Sequence, residues 1–170
     1  MRMKKLSARV EAMAGFVCNG ETIADIGADH ALLPIFLVRE GVSPFAVLTD
    51  KAAGPLDRAR SSVEKAMTVW PCAQAPFDLR LGDGLAALSG AEVDTVVIAG
   101  MGGETIISIL EAEPEKARSF KKYILQPRTK AGLLYAWLEN SGWGILAKTA
   151  AEEKGRLCDI IVCAPREGIS

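Results

Sequence analysis

The sequence predicts an α/β fold: a seven-stranded, mostly parallel sheet with its last strand antiparallel, helices on both faces, and an extra helix at the N-terminus. Three observations predict it. Apolar runs and helical patterns alternate from Thr22 to Asn140. The runs are nearly continuous, as in Thr95-Val96-Val97-Ile98-Ala99, which is how strands covered on both faces read. The alternation then stops, and two strands follow, joined only by the charged turn Glu152–Arg156. A connection that short forces them antiparallel.

The elements follow in order. Leu6, Val10, Met13 and Val17 fall at helical spacing, so the basic N-terminus is an amphipathic helix; Arg9 and Glu11 interrupt any signal-peptide core. A first strand spans about Thr22–Gly27. A helix from His30 to Glu40 follows, with Pro34 tolerated in its first turn and Gly41 at its end. Strand Phe45–Asp50 leads to helix Pro55–Val69, stopped by Pro71. Strand Asp78–Gly82 precedes a short apolar helix at Leu85–Leu88. Strand Thr95–Ala99 feeds helix Glu104–Ala112. Strand Tyr123–Gln126, stopped by Pro127, feeds helix Ala131–Asn140, capped by Gly142. The closing strands are Trp143–Ala151 and Cys158–Ala164.

A chain of 170 residues, 49% apolar and 24% charged, fits one globular domain spanning residues 1–170. The net charge of −1 gives no global attraction to nucleic acid, so a polyanionic partner needs a local basic patch. Arg2, Lys4, Lys5 and Arg9 form one such cluster. Lys116, Arg118, Lys121 and Lys122, with Arg128 and Lys130 beyond the strand, form another. Cys18, Cys72, Cys158 and Cys163 have no metal spacing and read as buried or half-buried free thiols in a reducing compartment. The one histidine, His30, leaves little room for a His-based metal site. A cytoplasmic location is expected.

The most informative stretch is Ile23–Pro34. A strand that ends in a glycine turn at Gly27 and feeds a helix is where an α/β sheet binds a nucleotide. Here the turn carries two carboxylates, Asp25 before it and Asp29 after it. Helix N-termini attract anions, so acids at this place argue against a phosphate ligand. They argue for a nucleotide-like ligand with positive charge, and S-adenosylmethionine, with a sulfonium and an α-amino group, fits. Three more strand ends line up with this turn. Asp50, followed by Lys51, can accept both hydroxyls of a ribose. Asp83, beside Gly84, can meet an adenine amino group. Gly100, Gly102 and Gly103 leave little side-chain bulk, a floor that admits a flat ring near a reactive methyl. A nicotinamide- or flavin-binding domain would want G-x-G-x-x-G, but Ala28 and Asp29 follow Gly27. A third reading is a cofactor-binding module without activity of its own.

Enzymes that methylate the exocyclic nitrogen of adenine place an acidic or amide side chain after the fourth strand; Gly100-Met101-Gly102-Gly103 supplies none. A ring nitrogen such as N1 needs none, because its lone pair is already free. ADIGADHALLP, GPLDRA, LGDGL, VVIAGMGGETI and ILQP followed by WLENSGW together resemble the bacterial tRNA (adenine-22-N1)-methyltransferase family, from the first helix to the DIIV strand. The resemblance implies a Rossmann-like class I fold, S-adenosylmethionine as donor (S-adenosylhomocysteine as product), and N1 of a tRNA adenine as acceptor. It implies that Asp25, Gly27, Asp29 and His30 hold the methionine part, Asp50 the ribose, and Asp83 and Gly84 the adenine, with Lys51 also among the cofactor-binding residues. Gly100 and Met101 would line the transfer face, with Asp29 and His30 as catalytic candidates. Asp29 would stabilise the cationic product base, or His30 would accept its proton. The family continues into a helical, coiled-coil-like segment that helps grip tRNA. This chain stops at Ser170, so weak tRNA binding is expected, by a monomer, without metal or membrane. Arg128 stands where the family usually has Asn. Activity on another RNA or a small substrate is the alternative.

Overall fold

The computed structural model describes residues 5–70 and 74–168. Its chain order is α1 (Ala8–Ala14), β1 (Ile23–Ile26), α2 (Leu32–Arg39), β2 (Ala46–Asp50), α3 (Ala53–Val69) and β3 (Phe77–Leu81). A 3₁₀ turn (Gly84–Ala87) leads to β4 (Thr95–Met101), α4 (Gly103–Ala112), α5 (Pro114–Ala117), β5 (Lys122–Pro127), α6 (Ala131–Asn140), β6 (Trp143–Glu153) and β7 (Arg156–Pro165). The strands form a single sheet in the order β3-β2-β1-β4-β5-β7-β6. β1 to β5 pair parallel, and β7 lies antiparallel between β5 and β6. The expected architecture, with the last strand reversed, is the one observed.

Period-two alternation along β1 divides the core. Ile23 faces the side covered by α1, α2 and α3, with Leu37, Leu48, Val63 and Val97. Ala24 and Ile26 face the side covered by α4 and α6, with Ile106, Leu134, Leu138 and Trp143. Leu37 is fully buried, which contributes about 1.5–3 kcal/mol of transfer free energy. Asp25, by the same alternation, points to the Ile23 side, beneath α1. That helix starts at Ser7, whose hydroxyl accepts from Val10 N–H at 3.3 Å, and it buries Val10 and Met13.

Several boundaries differ from the sequence expectation. The helix expected from His30 begins at Leu32, because Asp29 (φ 32°) and Ala31 (φ 55°) both take left-handed backbone and extend the turn. The short helix Pro114–Ala117 was not expected; Pro at its start removes a donor the first turn does not use. Pro127 closes β5 rather than following it. The closing hairpin is longer than expected, because Lys154 (φ 50°) and Gly155 (φ 74°) make a two-residue turn matched to strand twist. Cys18 is exposed, not buried; Cys158 is half-buried and Cys163 buried, all as free thiols. Pro71 and Cys72 lie outside the described residues. Among the described residues no helix is long and apolar enough to cross a membrane.

The sheet order reverses direction between β1 and β4. The crevice that opens beyond the carboxyl ends of those two strands is where open α/β sheets take ligands.

Candidate active site

A crevice of about 690 Å³ opens at that switch point. The turn after β1 is tied down first. The Thr49 carbonyl accepts from both Gly27 N–H (2.8 Å) and Ala28 N–H (3.0 Å). Gly27 has φ +74°, and a Cβ there would lie 2.6 Å from Met101 Cε. The positive φ is what favours glycine here, and a Cβ would also displace the Met101 side chain that closes over the turn. Gly100 sits at an irregularity in the β4–β5 pairing, between Ala99 and Met101, also with φ +74°.

Of the site residues read from sequence, Gly27, Asp29, Asp50, Lys51, Asp83, Gly84, Gly100 and Met101 line this crevice together. One Asp50 oxygen accepts from Ala52 N–H at 3.0 Å, which orients the carboxylate at the strand end. Asp83 precedes the 3₁₀ turn, exposed and without a side-chain capping bond. Asp25 and His30 do not line the crevice. They line an adjoining hollow with Arg9 and Met13, which shares Gly27, Asp29, Ala99 and Gly100 with the crevice. Asp29 thus stands at the seam between the two spaces. His30 is largely exposed, and its Nε2 is 4.0 Å from Asp29 Oδ1.

Sequence reasoning missed three groups. Arg58, on α3, donates from Nε to Asp29 Oδ1 at 2.6 Å. This pairing raises the Arg58 guanidinium above its ordinary value. Asp29 therefore has a cationic partner within the chain, beside any positive charge a ligand brings. Gln126, 4% exposed, accepts at Oε1 from Arg9 Nη1 and from Gly100 N–H, both at 3.1 Å. Thr49 lines the crevice, and its buried hydroxyl has no hydrogen-bond partner among the described residues. Only Arg58 carried a local signal, in the GPLDRA run that opens α3; the others are set by contacts distant in sequence.

The electrostatics favour a cationic ligand. Four carboxylates, Asp29, Asp50, Asp83 and Glu113, and the cation Lys51 line the crevice; Asp29 is ion-paired with Arg58 and Glu113 with Lys116, so Asp50 and Asp83 carry the excess negative charge. A pyrophosphate would meet repulsion there, whereas an amino group or sulfonium would not. Asp25 is 8% exposed, and burial pushes its carboxyl up to about 7; Arg9 opposes that rise and Asp50 adds to it. Asp25 is thus poised to change charge near neutrality. The free Asp50 oxygen, the unpartnered Thr49 hydroxyl and the space above Gly27 suit a nucleoside with a positively charged arm.

The basic clusters separate. Lys121 pairs with Asp94 at 2.9 Å and Lys122 with Glu21 at 2.8 Å, near the amino end of β5, away from the crevice. Arg118 donates to the Gly142 and Ser141 carbonyls and lies over the Trp143 ring. Lys116 pairs with Glu113 at 2.7 Å. Arg9 is engaged with Glu153 and Gln126. Arg128, exposed just past the carboxyl end of β5, lies on the crevice side. Arg2 and Lys4 lie outside the described residues.

Comparison with known proteins agrees with this geometry. The family described as "Methyltransferase domain" matches residues 6–161. A Bacillus subtilis tRNA (adenine(22)-N(1))-methyltransferase is 34% identical over 95% of this chain; the chain spans 66% of that relative's length. The solved B. subtilis m1A22 tRNA methyltransferase TrmK superposes with a TM-score of 0.85 at 33% identity, over 98% of this chain and 71% of that one. M. capricolum TrmK, solved with S-adenosyl-homocysteine, superposes with a TM-score of 0.81 at 28% identity, over 98% and 73%.

Proposed function

Because the chain belongs to the methyltransferase-domain family and, within it, to the tRNA (adenine-22-N1)-methyltransferases, we propose that it transfers a methyl group from S-adenosylmethionine to N1 of an adenine in tRNA. The single observation that carries the donor half is the crevice itself. It is acid-lined, glycine-floored, and sits at the switch point between β1 and β4.

In this reading Asp50 accepts from the ribose hydroxyls, with Lys51 beside it, and Asp83 and Gly84 meet the adenine ring. Gly27 admits the methionine arm over the turn, and Asp25 meets its amino group from beneath that turn. His30 flanks the same arm from the adjoining hollow. The cofactor, when bound, supplies an electrophilic methyl on a cationic sulfur.

The acceptor half rests on the β4 end. The target adenine is drawn out of its stack, at a cost of about a few kcal/mol, and enters over Gly100 and Met101. N1 has a free lone pair, so the chain supplies alignment rather than a base. Asp29, steered by Arg58 at the seam of the two spaces, stabilises positive charge developing on the ring. The phosphate backbone of the RNA would be met by Arg128 and Lys5, and the work would take place in the cytoplasm by a single copy of the chain.

Calorimetric titration with S-adenosylhomocysteine and, separately, NAD tests the donor half. Tight binding of the first alone is expected; equal or tighter binding of NAD overturns it.

A further inference from the structure

Arg9 lies on α1, outside every motif that led to the crevice, yet its guanidinium reaches two other elements at once. Nε donates to Glu153 Oε2 on the β6–β7 hairpin at 2.8 Å. Nη1 donates to Gln126 Oε1 at 3.1 Å. The same Gln126 oxygen accepts from Gly100 N–H at 3.1 Å, and Gln126 Nε2 donates to the Pro127 carbonyl at 3.1 Å. The break in β4–β5 register at Gly100 takes its N–H out of the ladder, and the Gln126 amide replaces the lost partner. A charged donor on one side of that amide strengthens its oxygen as an acceptor. One cation on α1 thus holds the side chain that holds the floor of the transfer site.

Arg9 also faces the hollow that contains Asp25. The charged and titratable groups around Asp25 are Arg9 from α1, Asp50 from the end of β2, and Asp29 and His30 from the turn; Glu153 faces Arg9 from the hairpin. Of these only Arg9 carries a permanent positive charge.

We propose that Arg9 is a positioning residue for methyl transfer: it pins Gly100 through Gln126 and supplies the positive charge against which Asp25 ionises. The proposal rests on the crevice being an S-adenosylmethionine site. It predicts that Arg9 controls the pH at which the site accepts a cationic ligand, which a merely structural contact would not do.

The test is S-adenosylhomocysteine affinity by calorimetry from about pH 5.5 to about pH 8.5. Wild-type affinity should rise with pH through a midpoint near 7, as Asp25 becomes a carboxylate, and level off above it. Arg9→Met should bind about tenfold more weakly at the acid end of this range and about fivefold more weakly near neutrality, with the gap closing at the alkaline end, because the midpoint moves up by about one pH unit. Arg9→Lys and Gln126→Met, which keep a cation on α1, should keep the wild-type midpoint. An Arg9→Met curve parallel to wild type at every pH, displaced or not, overturns the proposal. Should that variant not fold, Glu153→Gln reads the same charge from the other side. Freed of its carboxylate, Arg9 should move the midpoint down, and an unmoved midpoint is the contrary result. Wild-type protein that binds no S-adenosylhomocysteine would instead remove the site reading beneath the proposal.

Discussion

Arg58 Nε donates to Asp29 Oδ1 at 2.6 Å, joining the start of α3 to the turn after β1. The contact explains how a carboxylate is tolerated at the seam of two ligand spaces without a ligand. It also fixes which way that carboxylate points. Two roles for Asp29 separate by kinetics. If it stabilises charge on the acceptor ring, Asp29→Asn lowers the saturated rate roughly 10–1000-fold and leaves cofactor affinity near wild type. That is the outcome expected, because Asp25 is available to the cofactor's amino group. Single-turnover methylation at saturating cofactor, with calorimetry on the same variant, measures both. A variant with intact rate and weakened cofactor binding would assign Asp29 to the donor instead.

Asp50 should matter to the donor alone. Its carboxylate is held at the end of β2 by the Ala52 N–H and lines the crevice. Asp50→Ala removes a charged acceptor, and cofactor affinity should fall by roughly 1.5–3 kcal/mol. Unchanged affinity by calorimetry would put the ribose elsewhere.

Asp25 makes stability and binding respond to pH in opposite senses. Burial raises its carboxyl from 3.8 to about 7, so the folded state holds this proton more tightly than the unfolded chain does. Its contribution is fully present below pH 3.8 and is lost as pH rises towards about 7, a loss on the order of 2–4 kcal/mol. Carboxyls held low by their partners, such as Asp94 beside Thr22 and Lys121, act the other way, so the comparison must be with a variant. Without ligand, Asp25→Asn should be more stable than wild type by urea unfolding at pH 8 and equal to it at pH 4. The same variant should bind S-adenosylhomocysteine more weakly at pH 8. Equal stability at both pH values would show that Asp25 is not desolvated.

Contacts with RNA should be confined to the crevice end of the sheet. Lys121 and Lys122 are ion-paired near the opposite end, and Arg128 is exposed beside the crevice. Arg128→Ala should weaken tRNA binding and reduce its salt slope by about one, whereas Lys121→Ala should leave both unchanged. Filter binding across a salt series measures both, and the reverse pattern would move the RNA to the other face.

The sheet was legible because its strands are uninterrupted apolar runs, and Val96, Val97 and Ile98 are indeed fully buried. Asp50 and Asp83 were legible because each stands at or just past a strand end, where topology fixes the position; Glu113, at the end of α4, was not. The delayed start of α2 was not, because nothing in Asp29 or Ala31 announces left-handed backbone as a glycine would. The connections between acids and cations were also hidden. Arg58 meets Asp29 from 29 residues away, and Arg9 meets Gln126 from 117. Arg9 read only as part of a basic cluster and Arg58 only as part of the GPLDRA run, since pairing across that distance is decided by packing. The two-sided division of the turn, with Asp25 beneath α1 and Asp29 at the seam, required the face of β1 to be known.

The most direct test of the central claim is the chemical identity of the methylated base. The chain is incubated with bulk tRNA and methyl-labelled S-adenosylmethionine, the RNA is digested, and its nucleosides are separated and read by mass spectrometry. The account predicts label in 1-methyladenosine, abolished by Asp50→Ala at limiting cofactor. Label in any other nucleoside, or in N6-methyladenosine formed directly, would contradict it.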